Sequence, residues 1–186
     1  MKFKKVSFIF MISIFIICIL VSPLVYISLV YKTKYKDLII YNLKQIEINN
    51  SNLNVSMVLS VIKAESNFNE HAKSNSDAYG LMQLQLPTAI EMAKKLNLEV
   101  NLEDLYNPEI NIKLGINYLN YLFQIFEDKQ LVLMSYNAGL NKVKSWQENN
   151  ELTLENGIYI TPYNETTNYI KKVLKIEKIY KLMRIK

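Results

Sequence analysis

A glutamate on the apolar face of a predicted helix constrains this sequence more than any other feature. Val58, Val61 and Ile62 recur at helical spacing and mark one buried face. Glu65 continues that face, since it lies three residues after Ile62 and four after Val61. The polar residues of the same stretch fall on the opposite side, namely Ser56, Ser60, Lys63 and Asn67. This pattern places a carboxyl group on the predicted buried face of the helix.

A carboxyl group in such a position loses solvation. Desolvation disfavours the charged form and raises the pKa, which is what a general acid working near neutral pH requires. The alternative is that Glu65 only ends the helix and turns into water beside Lys63 or His71. The periodicity by itself is compatible with both interpretations.

The composition restricts the other catalytic chemistries. Among 186 residues there is one histidine and one cysteine. A Ser-His-Asp site could use only His71, and a Cys-His site would need Cys18, which lies inside an apolar run. No cluster of histidine and cysteine is present for zinc, and a single cysteine forms no internal disulfide. Carboxylate chemistry remains.

The positive charge of the chain is concentrated at its N-terminus. The formal net charge is +5, but six of the 22 basic residues precede Asp37 and no acidic residue does. The remainder carries 16 basic and 17 acidic residues. This distribution does not favour binding to nucleic acid.

An apolar run over residues 6–31 follows three lysines and predicts a membrane anchor. As a helix it would be about 39 Å long, enough to cross a bilayer. A cleaved signal peptide is less favoured, because Val21-Ser22-Pro23 is a poor cleavage site. Lysines flank both ends of the run, so the positive-inside rule does not decide the orientation. We therefore expect an uncleaved single-pass anchor with its flanks over residues 1–34 and a globular domain over residues 35–186.

The pattern of the globular part is mainly α-helical, with no alternating stretch longer than residues 157–160. Asn54 is a predicted cap for the helix of Glu65, and Asn107 caps a helix that Pro108 begins. Pro87 suits the first turn of a helix with Ala89, Ile90, Ala93 and Leu96 turned inward. The remaining helices are predicted over residues 35–48, 131–136, 140–147 and 166–183.

Two glycines are predicted at close approaches. Gly115 lies inside the helix that follows Pro108, where a glycine costs about 1 kcal/mol relative to alanine. We expect it to allow close packing against a neighbouring helix. Gly80 is expected to let the backbone approach a ligand closely.

Basic residues recur along the last predicted helix, from Lys171 to Arg184. They alternate with apolar residues and so indicate an amphipathic helix. A solvated face is favoured over contact with anionic lipid or wall polymer.

Several short motifs occur in a specific order along the chain. Glu65-Ser66-x-Phe68 is followed by Ser74 and by Ala78-x-Gly80-Leu81-Met82-Gln83. Later motifs are Asn107-Pro108 with Asn111, Gly115 and Tyr118, then Tyr136-Asn137-Ala138-Gly139, and then Glu165-Thr166 with Tyr169. Together they resemble the active-site region of bacterial soluble lytic transglycosylases, the peptidoglycan-cleaving relatives of goose-type lysozyme. The resemblance covers roughly residues 35–181 and implies a lysozyme-like helical domain.

The resemblance also implies a reaction. In that family one glutamate protonates the bond between N-acetylmuramic acid and N-acetylglucosamine, and then takes the proton from the muramic 6-hydroxyl. Glu65 matches this glutamate, and the implied product is a 1,6-anhydromuramyl end formed without water, metal or cofactor. Peptidoglycan strands would be the substrate, which places the domain on the extracytoplasmic side of the cell membrane.

Six further residues are expected to contact the substrate. The Gln83 amide suits an N-acetyl group, and Met82, together with Leu81, would line an apolar wall that keeps Glu65 protonated. By resemblance, Tyr136 lies over the cleavage site and Ser74 contacts the substrate. Asn137 and Glu165 complete the set, and each also has a structural alternative. Asn137 would instead hydrogen-bond the backbone of a loop. Glu165 would instead stabilise the start of the last helix, where an acidic side chain interacts favourably with the helix dipole.

Other interpretations keep part of this picture. A lysozyme-type hydrolase would use Asp77 to position a water, and a non-catalytic wall-binding module would not need Glu65. Two positions depart from the family pattern. Thr167 stands where the family often has arginine, which weakens the expectation that the chain recognises the peptide stem. Pro87 is displaced by one position relative to the Met-Pro pair that usually follows the glutamine.

Overall fold

Helices dominate the part of the chain that the computed structural model describes, which is residue 31, residues 33–48 and residues 50–185. The helices are α1 (Lys36–Lys44), α2 (Val55–Ser66), α3 (Leu86–Lys95), α4 (Pro108–Ile125), α5 (Lys129–Ala138), α6 (Leu140–Glu148) and α7 (Asn164–Leu182). A 3-10 turn spans Glu103–Tyr106, and two antiparallel hairpins pair β1 (Ala78–Tyr79) with β2 (Leu84–Gln85) and β3 (Thr153–Glu155) with β4 (Ile158–Ile160). The prediction of a mainly α-helical domain is confirmed.

The apolar run over residues 6–31, predicted to anchor the chain in a membrane, lies outside the described residues except for its last position. Within the described ranges, none of the helices combines the length and the apolar character that crossing a bilayer requires.

The helix that carries Glu65 is buried more completely than its pattern predicts. Asn54 caps α2 as expected, because its side chain accepts a hydrogen bond from the Met57 amide at 3.1 Å. The prediction of a polar face through Ser56 and Ser60 is wrong, since both side chains are buried. Ser60 donates to the Ser56 carbonyl at 2.6 Å, and the Ser56 hydroxyl donates to the carbonyl of Ile185. Hydrogen bonding allows these two small polar side chains to lie in the core.

The last helix helps to bury α2, the helix that carries Glu65. α7 packs along α2 and also contacts α5, and it buries Ile170, Val173 and Tyr180 in the core. Most of its lysines point to solvent, which agrees with the favoured interpretation of the basic series. Lys181 forms an ion pair at 2.7 Å with the buried carboxylate of Glu177.

Two further helix starts follow the predicted cap chemistry. The Asn107 side chain accepts from the Glu109 amide at 2.9 Å, directly before Pro108 in the first turn of α4. α3 begins at Leu86, with Pro87 in its first turn as predicted. Ile90 is 48% exposed, so its predicted inward position is wrong. Ala89, Met92 and Ala93 form the buried face, because they share the side of α3 that packs on α4.

The tight turn between β1 and β2 is held by one buried side chain. Asn111 on α4 donates to the carbonyls of Tyr79 at 2.9 Å and Leu105 at 2.8 Å, and it accepts from the Met82 amide at 2.8 Å. Three backbone groups that would otherwise be buried without partners are thereby satisfied. The turn that leads into Gln83 is therefore tied to α4.

Both predicted glycine approaches exist, but their partners differ from those expected. A Cβ on Gly80 would lie 2.1 Å from the Leu105 carbonyl oxygen, so the close approach is to the protein's own backbone and not to a ligand. A Cβ on Gly115 would lie 2.3 Å from the Met82 sulfur, so α4 packs closely against this turn and not against a helix. The two glycines bring the turn and α4 together.

Candidate active site

A groove of about 310 Å³ opens beside the C-terminal end of α2. It gathers residues from α2, the first hairpin, α4, α5 and the start of α7. Five of the six predicted substrate contacts and the predicted acid line it, namely Glu65, Ser74, Gln83, Tyr136, Asn137 and Glu165. Residues that lie as many as 100 positions apart in sequence therefore meet at one site.

Glu65 occupies the last turn of α2 and is half-buried at the floor of this groove. Burial raises the pKa of its carboxyl group from 4.5 to about 7. Two groups oppose this rise and favour the carboxylate: the Tyr169 hydroxyl and, more weakly, the positive charge of Lys172. A carboxyl group with this pKa can both donate and accept a proton near neutral pH. The alternative in which Glu65 turns into open water does not fit this position.

Tyr169 is the group of α7 that lies against Glu65. Its side chain is buried, and no group in the described part of the chain meets the distance and angle of a hydrogen bond with its hydroxyl. It is near enough to Glu65 to lower that pKa, while burial raises the pKa of Tyr169 itself well above its usual value. Tyr169 therefore presents a neutral hydroxyl to the carboxyl group.

Tyr136 lines the groove from α5, near its C-terminal end. Its hydroxyl donates to the Met82 carbonyl oxygen at 2.7 Å, and its ring centroid lies 5.4 Å from that of Tyr118. Burial raises the pKa of Tyr136 well above its usual value, and the charge of Glu65 adds to the rise. Tyr136 thus stays neutral and connects α5 to the turn that precedes Gln83.

Asn137 is oriented by a side chain from α7. Its carbonyl oxygen Oδ1 accepts a hydrogen bond from the Thr166 hydroxyl at 2.8 Å. Asn137 was alternatively expected to bond loop backbone, but its partner is a side chain, and the bond joins α5 to α7. The bond uses the oxygen of the amide, so the donor end of Asn137 is the one directed to other partners.

Ser74 and Gln83 each use part of their hydrogen-bonding capacity to hold the loop. The Ser74 hydroxyl accepts from the amides of Ser76 at 3.2 Å and Ala78 at 3.1 Å. The Gln83 amide group donates to the carbonyls of Ala72 at 3.1 Å and Gly80 at 2.9 Å. The hydroxyl proton of Ser74 and the carbonyl oxygen of Gln83 are the groups left to face a ligand.

Met82 is the one predicted substrate contact that does not line the groove. Its side chain is fully buried against Gly115, as is that of Leu81 in the core. A direct ligand contact by Met82 does not fit this placement. Its contribution comes through the backbone, because its carbonyl oxygen holds Tyr136 and its amide is held by Asn111.

The other acidic candidates differ in position. Glu165 stands exposed in the first turn of α7, where an acid favours the helix dipole, and it also lines the groove. The Asp77 side chain is 74% exposed and does not line the groove. It pairs with Lys73 at 3.3 Å and accepts from the Tyr79 hydroxyl at 3.1 Å, and these partners lower the pKa of its carboxyl group.

Three residues matter here that the sequence did not single out for these roles. Lys172 was part of the solvated series, yet its ammonium group donates to the Ala64 carbonyl at 2.6 Å. Its spacing of three residues from Tyr169 puts both on one face of α7, and the sequence could have shown this.

Asn111 belonged to one of the sequence motifs, but the sequence assigned it no role. Thr167 is buried, and its hydroxyl accepts from the Thr161 amide at 2.9 Å. This bond ties the segment before α7 to the first turn of that helix.

Comparisons with known proteins identify the family to which this domain belongs. Residues 42–157 match the Transglycosylase SLT domain family. The chain is 30% identical over 131 residues to the soluble lytic murein transglycosylase of Escherichia coli K12, covering 68% of this chain and 20% of that protein. It is 29% identical over 153 residues to the membrane-bound lytic murein transglycosylase C of Histophilus somni strain 2336, covering 69% of this chain and 42% of that protein.

A solved structure supports the same class. The 70 kDa soluble lytic transglycosylase of Escherichia coli superposes with a TM-score of 0.69 at 27% identity, over 83% of this chain and 25% of that one. The fold is a helical, lysozyme-like one, similar to that of this enzyme. The chain belongs to the Transglycosylase SLT domain family. It spans less than half the length of the curated relatives compared above.

Proposed function

We propose that this chain is a peptidoglycan lytic transglycosylase that cleaves the bond between N-acetylmuramic acid and N-acetylglucosamine. The observation that carries the proposal is Glu65, whose carboxyl group lies in a groove with a pKa raised to about 7. Membership of the family and the names of the two relatives support peptidoglycan as the substrate class. Peptidoglycan strands are the partner that this activity requires.

The proposed reaction uses Glu65 twice. Its carboxyl group first donates a proton to the glycosidic oxygen, so the bond to the muramic C1 breaks and positive charge develops on that sugar ring. The resulting carboxylate then takes the proton of the muramic 6-hydroxyl, whose oxygen bonds to C1. The products are a 1,6-anhydromuramyl end and a free N-acetylglucosamine hydroxyl, and Glu65 ends in its starting state.

The groove contains groups suited to each stage. A pKa near 7 makes both protonation states of Glu65 accessible, and the Tyr169 hydroxyl and Lys172 favour the carboxylate between the two transfers. Ser74, Gln83, Asn137 and Glu165 would bind and orient the strand by hydrogen bonds. Tyr136 would form the wall beside the cleaved bond.

The position of Asp77 supports a transglycosylase over a hydrolase that would use this residue. A hydrolase of the inverting type needs a second carboxylate that activates water on the far side of the ring. Asp77, the candidate from the sequence, is exposed outside the groove and engaged with Lys73 and Tyr79. With Asp77 outside the groove, the 6-hydroxyl of the same sugar is the nucleophile that we propose.

Mass spectrometry of digested cell wall tests the reaction. We expect the purified chain to release muropeptides with 1,6-anhydromuramyl ends, which are lighter by one water than the corresponding reducing products. A digest without enzyme and one with a known muramidase provide the reference masses. Reducing muramic ends as the main product would refute the transglycosylase and support the hydrolase.

We also propose that residues 6–31 anchor the chain in the cell membrane with the domain on the extracytoplasmic side, where peptidoglycan lies. The apolar length of this run supports the anchor, as does the membrane-bound relative from Histophilus somni. The full chain should remain in the membrane pellet after alkaline carbonate extraction, and protease added to spheroplasts should digest the domain. A chain that lacks residues 1–33 should be extracted. Full-length protein in the carbonate supernatant, or protected from protease, would contradict this topology.

A further inference from the structure

The ammonium group of Lys172 reaches from α7 to the end of the helix that carries Glu65. Its Nζ donates to the Ala64 carbonyl oxygen at 2.6 Å, although the two residues are 108 positions apart. Ala64 directly precedes Glu65 in the last turn of α2. The bond therefore holds the backbone one residue away from the proposed acid.

This contact meets a need of the helix end. The last carbonyls of a helix have no partner within it, and a cation near them is favourable because of the helix dipole. The Lys63 carbonyl accepts from the Asn67 amide at 3.2 Å, and the Ala64 carbonyl accepts from Lys172. Lys172 thus joins α7 to the C-terminal end of α2 by a bond to a charged donor, the stronger kind of hydrogen bond.

Lys172 differs from the other basic residues of its helix. Lys172 is exposed, as are Lys171, Lys175 and Lys178, but its ammonium group bonds the backbone of α2, whereas that of Lys181 pairs with Glu177. Within the described ranges, Lys172 is the cation that acts on the pKa of Glu65. The titratable and charged groups that act on Glu65 or share its groove are Tyr169, Lys172 and Glu165 on α7, Tyr136 on α5 and Tyr118 on α4.

We propose that Lys172 is a positioning residue for Glu65, holding the end of α2 and stabilising the Glu65 carboxylate that exists between the two proton transfers. Its role in turnover rests on the proposed function, whereas its effect on Glu65 does not. Lys172 does not line the groove, so substrate binding should not depend on it.

Titration of Glu65 in the full chain tests the effect directly. The carboxyl signal is followed by ¹³C NMR from pH 4 to pH 9 and assigned by its loss in Glu65→Gln. Lys172→Met removes a positive charge that favours the carboxylate, so the pKa of Glu65 should rise by about 0.5. Lys172→Arg keeps the positive charge, so the pKa of Glu65 should keep its wild-type value. Lys171→Met makes the same substitution at the adjacent lysine and should also leave the pKa of Glu65 unchanged.

Kinetics on purified glycan strands give the second readout. Because a general acid must be protonated, a higher pKa moves the alkaline loss of activity to higher pH in Lys172→Met. We expect kcat to fall by about three- to tenfold, since the acid is held less firmly, while KM stays within about twofold. Lys172→Arg should recover most of kcat.

The outcomes separate the two claims. A folded Lys172→Met protein with the wild-type Glu65 titration overturns the positioning role, whatever its activity. If methionine lowers the thermal stability, Lys172→Gln supplies the same comparison, because it keeps a donor without the charge. A raised Glu65 pKa in a chain whose wild type cleaves no glycan would uphold the positioning role and refute the proposed function.

Discussion

Replacing Glu65 by glutamine should lower the rate of glycan cleavage by about a hundredfold to ten-thousandfold, the usual contribution of a general acid. Glutamine keeps the size and much of the hydrogen bonding of glutamate but has no proton to donate to the leaving oxygen. The side chain lies half-buried in the groove, so the substitution leaves the surface of the domain unchanged. The rate of release of soluble muropeptides from purified cell wall measures the effect.

Asp77→Asn is the matched control for this substitution. It also replaces a carboxylate by its amide, but at a side chain outside the groove. Asparagine tolerates the positive φ of 52° at this position, so the loop should keep its form. We expect activity within about threefold of wild type. A loss for Asp77→Asn as large as for Glu65→Gln would support the two-carboxylate hydrolase. Full activity of Glu65→Gln would refute Glu65 as the acid, and a wild-type chain that binds cell wall without cleaving it would support the wall-binding module.

The same Glu65→Gln substitution should stabilise the domain at alkaline pH. The folded state raises the pKa of Glu65 from 4.5 to about 7, so folding favours the protonated form. This contribution to stability is fully present below pH 4.5 and is lost as the pH rises through about 7. A tenfold change in acid dissociation between the unfolded and folded states corresponds to about 1.4 kcal/mol. The wild type therefore loses about 3 kcal/mol by pH 8, and the variant does not.

Urea denaturation of both proteins at pH 4 and pH 8 measures this difference. The free energy of unfolding of Glu65→Gln minus that of wild type should be about 3 kcal/mol larger, that is more stabilising, at pH 8 than at pH 4. Comparing the two pH values removes any effect of the substitution that does not depend on pH. A difference that stays constant across this range would show that Glu65 titrates normally in the folded state.

Local chemistry made part of this structure predictable. The caps at Asn54 and Asn107 depend on side chains that bond amides two or three residues away, so the sequence contains all the information needed. Glu65 could be placed because its spacing from Val61 and Ile62 reflects one turn of the same helix. These signals act within single elements and do not depend on the remainder of the fold.

Features that depend on contacts between distant segments were not predictable in this way. Ser56 and Ser60 were assigned to solvent because a helical period identifies the more apolar face. Their burial depends on segments distant in sequence, such as Ile185, whose carbonyl accepts from the Ser56 hydroxyl. Gly80 and Met82 were assigned to a ligand, but their neighbours prove to be Leu105 and Gly115. In each case a side chain or carbonyl from another element occupies the space.

Lys172 illustrates the same limit inside the site. One lysine in a series looks like its neighbours, and only packing against α2 separates it from them by bringing it to the Ala64 carbonyl. The order of the motifs identified the groove residues well, because it was read as a set over the whole chain. The tasks of individual members, such as Asn111 holding the turn, required the three-dimensional arrangement.

The pKa of the Glu65 carboxyl group, measured by ¹³C NMR in the wild-type chain, tests the central claim most directly. A desolvated acid beside Tyr169 and Lys172 should titrate at about 7. A value at or below the ordinary 4.5 would mean that the carboxylate is solvated and charged at neutral pH, and Glu65 could then not act as the proposed acid.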